Sequence, residues 1–204
     1  YEGPAWFIRD GKPTQVPCLS EVEELDFPAP LGLLEAAVTS GGLSTAPWTF
    51  AGKLQRLENK TLRYPGHWQT FQAFQQLGLF EQTPVAMKED RFIPREVFHT
   101  LLQPKISSDT IRDICVIRVR CEGEIDGKSA VCTLDLCETF DEETHFTAME
   151  KFTGWHASMV AILSAQGKLP KGAIPIEKAL SGEMLKEEAK KRGWVIKNNA
   201  LLGV

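Results

Sequence analysis

The sequence predicts an α/β fold of the α+β type: a mixed, largely antiparallel sheet with helices packed on one face. Three observations predict it. Segments with the two-residue alternation of strands take turns along the chain with segments of helical period, the pattern of sheet and helices sharing one core. One pair of strands forms a long hairpin, from about residue 112 to 139, whose Asp126-Gly127 pair is the mark of a two-residue turn with positive φ at both positions. Thr147-Ala148-Met149-Glu150 has the form of a capping box and opens a long apolar-periodic stretch. No repeat, low-complexity tract or linker interrupts residues 1–204, so a single domain is expected.

In chain order, Ala5 to Ile8 reads as a strand closing at Asp10-Gly11, with a second short strand around Thr14 to Pro17. Residues 18–31 are acidic and carry Pro28 and Pro30, and are expected to form an extended surface segment. Leu33 to Val38 is expected as a short helical turn, stopped by Ser40-Gly41-Gly42, where backbone can approach backbone or ligand without a Cβ in the way. Leu43 to Phe50 has two readings. The hydroxyls of Ser44, Thr45 and Thr49 beside a Gly-Gly pair suit a ligand-lining loop with Trp48, and Pro47 suits an interrupted edge strand. A strand pattern follows from Leu54 to Leu62.

Trp68, Phe71, Phe74 and Leu77 share one side of a helix that should stop near Gly78. Pro94 stands where a first helical residue would, Val97, Phe98, Leu101 and Leu102 make the buried face, and Pro104 should end that helix. Counting outward from Asp126-Gly127 sets Arg118 against Asp135 and Cys121 against Cys132. One hairpin face is then Cys115, Ile117, Val119 and Cys121 with Cys132, Leu134 and Leu136, and the two facing cysteines are expected as buried thiols. The other face carries Arg118, Arg120, Thr133 and Asp135, with an exposed ion pair worth at most about 1 kcal/mol. The helix after the capping box should bury Ala148, Met149, Phe152, Trp155, Met159, Ile162 and Leu163 and stop at Gly167 and Pro170. Gly154 in its middle costs about 1 kcal/mol against alanine, which hints at close approach by another helix or by a ligand. A last helix from Ser181 to Arg192 should feed a short strand at Trp194 to Ile196.

A net charge of −4 argues against a nucleic-acid partner. No run of apolar residues is long enough for a membrane span. The five cysteines contain no CxxC pair, so neither a zinc site nor a disulfide framework is signalled, and a reducing cytoplasm is the expected setting. The four histidines lack metal-binding spacing. GxGxxG, P-loop and GxSxG motifs do not occur, so the piece that would bind a nucleotide cofactor is not expected within this sequence.

The densest chemistry lies in Lys60-Thr61-Leu62-Arg63-Tyr64-Pro65-Gly66-His67. It sets a cation, a phenol and an imidazole around a Pro-Gly turn at the start of a helix, where unpaired N–H groups and the helix dipole favour an anion. The same residues also read as a plain turn, with Arg63 solvated and Tyr64 half buried.

Several stretches together resemble one family. Ser40-Gly41-Gly42 with Ser44 to Lys53, Lys60 to His67, Thr147-Ala148-Met149 with Thr153-Gly154, and Gly167 to Gly172 with Arg192-Gly193 are similar, in order, to the C-terminal domain of the saccharopine dehydrogenase family, closest to its lysine 6-dehydrogenase and saccharopine-reductase-like members. The resemblance implies a substrate-binding and dimerisation domain of an NAD(P)-dependent oxidoreductase acting on the C–N bond of lysine, saccharopine or a related amino acid. It implies a homodimer, and NAD or NADP held mainly by the protein's own Rossmann domain, which this sequence lacks, so that the fragment alone should be inactive. Under that reading Arg63 suits a substrate carboxylate, and His67 or Tyr64 would handle a proton. Gly41, Gly42, Thr45 and Trp48 would shape one pocket wall, with Thr153 and Gly154 on its other side. The alternative is a non-catalytic binding or assembly module that pairs through its sheet edge.

Overall fold

The computed structural model describes residues 1–202, so Gly203 and Val204 of the expected domain lie outside the described residues. The chain divides into two compact units, Tyr1–Ser107 and Ser108–Val204. Every described strand pairing is antiparallel, and the class is the α+β type that the sequence predicts. The strands fall into small separate sheets of two or three strands where the sequence suggested one larger sheet.

In the first unit, β1 (Pro4–Arg9) and β2 (Lys12–Pro17) form the expected hairpin across Asp10-Gly11, and β5 (Arg56–Leu57) joins the other edge of β1. A second sheet has the order β3 (Glu23–Phe27), β4 (Gly32–Val38), β6 (Lys60–Arg63). Two expectations are corrected here. Residues 18–31 contain β3 and bury Leu19 and Phe27, so the segment is part of the sheet. Leu33 to Val38 is strand β4 and no helical turn: Leu34, Ala36, Ala37 and Val38 are all buried, and burial on both faces erases the alternation that would have marked a strand.

Thr45 begins a short helix, α1 (Ala46–Thr49), in which Pro47 occupies the first turn, where its missing N–H leaves no bond unmade. Leu43 to Phe50 is therefore helical at its centre, and the strand pattern from Leu54 to Leu62 is split between β5 and β6. α2 (His67–Gln76) follows, then a small hairpin of β7 (Val85–Met87) and β8 (Asp90–Phe92). α3 (Pro94–Ile106) starts at its proline as expected but runs past Pro104, which sits in its last turn. Phe98 is buried on it, and Val97 and Leu101 are exposed.

In the second unit β9 (Ile114–Ile125) and β10 (Lys128–Thr139) meet across Asp126-Gly127 in the expected register, Arg118 opposite Asp135 and Cys121 opposite Cys132. Asp126 and Gly127 have φ of 52° and 73°, as a turn matching the strand twist requires. Arg118 grips Asp135 through two bonds of 2.8 and 2.9 Å. β11 (Lys197–Leu202) adds to the far side of β10, starting beyond the expected Trp194 to Ile196. Cys121 is exposed and Cys132 half-buried, where both were expected buried, because they lie in the outer half of the hairpin, where β9 is exposed throughout.

The capping box forms as expected. Glu150 donates its N–H to Thr147 Oγ1 at 3.1 Å, and the Thr147 N–H reaches Glu150 Oε2 at 2.7 Å. The Asp113 carboxylate, just before β9, accepts the N–H groups of Ala148 and Met149 at 2.6 and 2.9 Å, which satisfies two more open donors of that first turn. The helix runs as α4 (Ala148–Glu150), a π-helical turn over Lys151–Trp155, and α5 (His156–Ala165). Its buried residues are Ala148, Lys151, Met159 and Leu163, while Met149 and Ile162 are exposed. Two shorter helices, α6 (Ile176–Ala179) and α7 (Gly182–Lys191), complete the unit.

Candidate functional site at the start of helix α2

The motif Lys60 to His67 carries the chain from β6 into α2. Gly66 is the N-cap residue with φ 89°, a left-handed backbone that glycine adopts without the strain of a Cβ. In the β4–β6 ladder Glu35 stands opposite Arg63. Its Oε2 accepts the Gly66 N–H at 3.2 Å, so the anion position at the end of this helix is taken by a carboxylate of the chain itself. Trp68, fully buried, donates its indole N–H to the Glu35 carbonyl at 2.9 Å and ties the first turn of α2 to β4.

Arg63 is exposed. One guanidinium nitrogen bonds the Leu62 carbonyl at 2.7 Å and the group lies 5.9 Å from the Trp68 ring centre. Among the described residues no carboxylate lies within ion-pair distance of it, so most of its donor fork faces outward. Tyr64 is exposed beside it.

His67 sits in an aromatic cage. It stacks on Phe71 with centroids 4.4 Å apart, meets Trp68 edge-on at 4.8 Å, and its Nε2 is 3.1 Å from the Tyr1 hydroxyl. Burial first, and the Arg63 charge second, hold its pKa below the ordinary 6.5, against a smaller opposing pull from Glu35. The ring is therefore neutral near pH 7 and able to accept a proton. The unfolded chain binds that proton more readily, so this contribution to stability is complete above pH 6.5 and is lost as pH falls below it. We expect the melting temperature to fall as pH drops below about 6.5, and His67→Gln to flatten that slope; an unchanged slope would show that the cage does not perturb the ring.

Tyr1 and Phe71, the partners of His67, also line a cavity of about 660 Å³ in the first unit, with Phe80, Arg95, Phe98 and His99 on its other walls. Arg95 gives two of its donors to the Phe80 carbonyl, at 3.0 and 2.9 Å, and pairs with Glu2. The sequence marked Phe71 and Phe98 only as core residues of their helices, and singled out neither Glu35 nor Tyr1, Phe80 and Arg95. The signal that could have found Glu35 was its cross-strand register with Arg63, which a helical reading of β4 hides.

Of the other expected site residues, Gly41, Gly42, Thr45 and Trp48 belong to the first unit, and Thr153 and Gly154 to the second. Gly41 and Gly42 follow the end of β4 at which Val38 pairs with Lys60, three rungs and about 10 Å along the ladder from Arg63. Both have positive φ, and a Cβ on Gly42 would fall 2.5 Å from Asn59 Oδ1, so the close approach expected there is made by a neighbouring side chain. Thr45 caps α1 without using its side chain for the cap. Trp48 packs against Trp6 at 5.1 Å, and both rings are partly exposed. In the second unit Thr153 and Gly154 lie exposed on the π-helical turn. The Thr153 hydroxyl donates to Met149 Sδ at 3.7 Å, and apart from the chain immediately around it no atom lies within 4 Å of where a Gly154 Cβ would be. A cavity of about 330 Å³ beside that turn is lined by Ile117, Val119, Leu134, Leu136, Phe152 and His156, among others.

The fold is similar to that of apo, histidine-tagged saccharopine dehydrogenase (L-Glu forming) from Saccharomyces cerevisiae, with a TM-score of 0.67 and 15% sequence identity. The superposition covers 97% of this chain and 59% of that protein, so the chain spans well under two thirds of it. The family model described as the saccharopine dehydrogenase C-terminal domain matches residues 1–193. The order of motifs read from the sequence and this match agree, and the chain belongs to the saccharopine dehydrogenase C-terminal domain family.

Proposed function

We propose that this chain is the substrate-binding and subunit-contact domain of an NAD(P)-dependent oxidoreductase that acts on the C–N bond of lysine, saccharopine or a related amino acid. The observation that carries the proposal is an exposed guanidinium beside a neutral, caged imidazole at the start of α2, within a chain that matches the family over residues 1–193. Arg63 binds a substrate carboxylate through its outward fork, a geometry that a lysine ammonium could not reproduce. Glu35, fixed on the Gly66 N–H, repels an acid group that strays onto the helix end and so directs the carboxylate to Arg63. His67, kept neutral, takes up the proton that leaves the substrate nitrogen, and Tyr64 closes the exposed side of the group.

The described residues do not fit a nicotinamide dinucleotide by themselves. All their strand pairings are antiparallel, and no strand leads through a GxGxxG turn into a helix, which is the cradle such a cofactor needs. The cofactor belongs, in this reading, to a separate Rossmann domain of the parent enzyme.

The test is kinetic and uses the full-length enzyme that carries this chain. Arg63→Ala should raise KM for the amino-acid substrate about 10- to 100-fold with a much smaller change in kcat, and Arg63→Lys should fall between the two. Unchanged KM in both variants would remove Arg63 from the site.

A further inference from the structure

We propose that the outer edge of β9 pairs, antiparallel and in one register, with β9 of a second copy of this chain. The proposal rests on the subunit-contact reading above and says where that contact is made. β9 is twelve residues long and is the edge strand of its sheet, in the order β11, β10, β9. A strand edge presents a row of N–H and C=O groups that invites another strand, and Ile117, Val119 and Ile125, on one face of β9, are 45%, 46% and 56% exposed.

The ladder decides which residues meet. Counting from the two-residue turn, Ile125 and Lys128 form a hydrogen-bonded pair, and pairs then alternate, so Cys121 bonds toward β10. Arg120, Glu122 and Glu124 consequently direct their N–H and C=O groups to the open edge. A second β9 can bond there only if residues of this same set face one another.

Centring the pair on Cys121 satisfies that rule and the charges together. Arg120 then lies opposite Glu122, Val119 opposite Gly123 and Ile117 opposite Ile125, each contact made twice by the two-fold axis. Moving the centre by one residue sets Arg120 against Arg120 or Glu122 against Glu122. Arg120 and Glu122 are each 60% exposed and pair with one another within the strand at 2.6 Å, so both can turn to the partner strand without leaving a buried charge behind. The register also sets the two Cys121 residues directly opposite in a non-hydrogen-bonded pair. Their Cα atoms would be about 4.5 Å apart, within the span of a disulfide.

The experiment combines sedimentation velocity with oxidation of the whole chain by diamide, which takes two electrons and two protons from two thiols and becomes the hydrazine. A dimer in sedimentation, a Cys121–Cys121 link in peptide mapping, and loss of that link in Cys121→Ser but not in Cys132→Ser are expected. Arg120→Glu should weaken the dimer by about tenfold or more, and Arg120→Glu with Glu122→Arg should restore it. A dimer that shows no Cys121 link, or one that Arg120→Glu leaves as tight as before, overturns the β9 pairing and leaves the subunit-contact reading standing. A chain that stays monomeric at every concentration overturns both.

Discussion

Replacing Trp68 with alanine is expected to lower the unfolding free energy of the first unit by about 3–5 kcal/mol. The indole is fully buried, packs with Leu19 and Ala37, and holds the Glu35 carbonyl by a 2.9 Å bond. Truncation removes the transfer energy of a large ring, leaves a cavity, and leaves the carbonyl without its donor. Trp68→Phe separates these effects: it keeps most of the packing and loses the bond, and should cost about 1–2 kcal/mol. Urea titration followed by far-ultraviolet circular dichroism measures both. A loss under about 1 kcal/mol for the alanine variant would mean that α2 is not anchored on β4 through this ring. The change also has a functional arm, because Trp68 fixes the turn that presents Arg63 and His67.

The second large effect is expected at Lys151. Its ammonium, 7% exposed, pairs with the Glu138 carboxylate of β10, 16% exposed, in the interior of the second unit. Lys151→Ala removes one partner and leaves a desolvated carboxylate, which should cost about 3–5 kcal/mol. Lys151→Met together with Glu138→Leu removes both charges and should recover most of that loss. A double variant as unstable as the single one would show that the cost came from packing alone, and thermal melts of the three proteins decide the matter.

Where local chemistry fixes geometry, the sequence was a sufficient guide. The hairpin register follows from Asp126-Gly127, because a two-residue turn leaves no freedom in which residues face each other, and the capping box follows from residue type at fixed spacing. β4 was not legible for a physical reason: a short apolar run buried on both faces has no period, and only its neighbours β3 and β6 make it a strand. That single misreading hid Glu35, which faces Arg63 only once β4 is a strand. Arg63, Tyr64 and His67 were visible as a motif, but the cage of Tyr1 and Phe71 around His67 depends on tertiary contacts spread over the unit. The burial of Lys151 in place of Met149 and Phe152 escaped for another reason: helical periodicity assumes a uniform winding that this helix does not keep.

That winding has a consequence for how the chain can change in length. An α-helix advances about 100° per residue, and the wider turn at Lys151–Trp155 falls behind by roughly one residue over its span. The slack brings Lys151 and Met159 onto the same side, where plain winding would set them about 80° apart. The helix thus holds one residue more than its ends require. A relative one residue shorter between Glu150 and His156 could wind regularly and still present Ala148, Met159 and Leu163 to the sheet, so Thr153 and Gly154 occupy a place where an inserted residue can be kept or lost without shifting the core on either side.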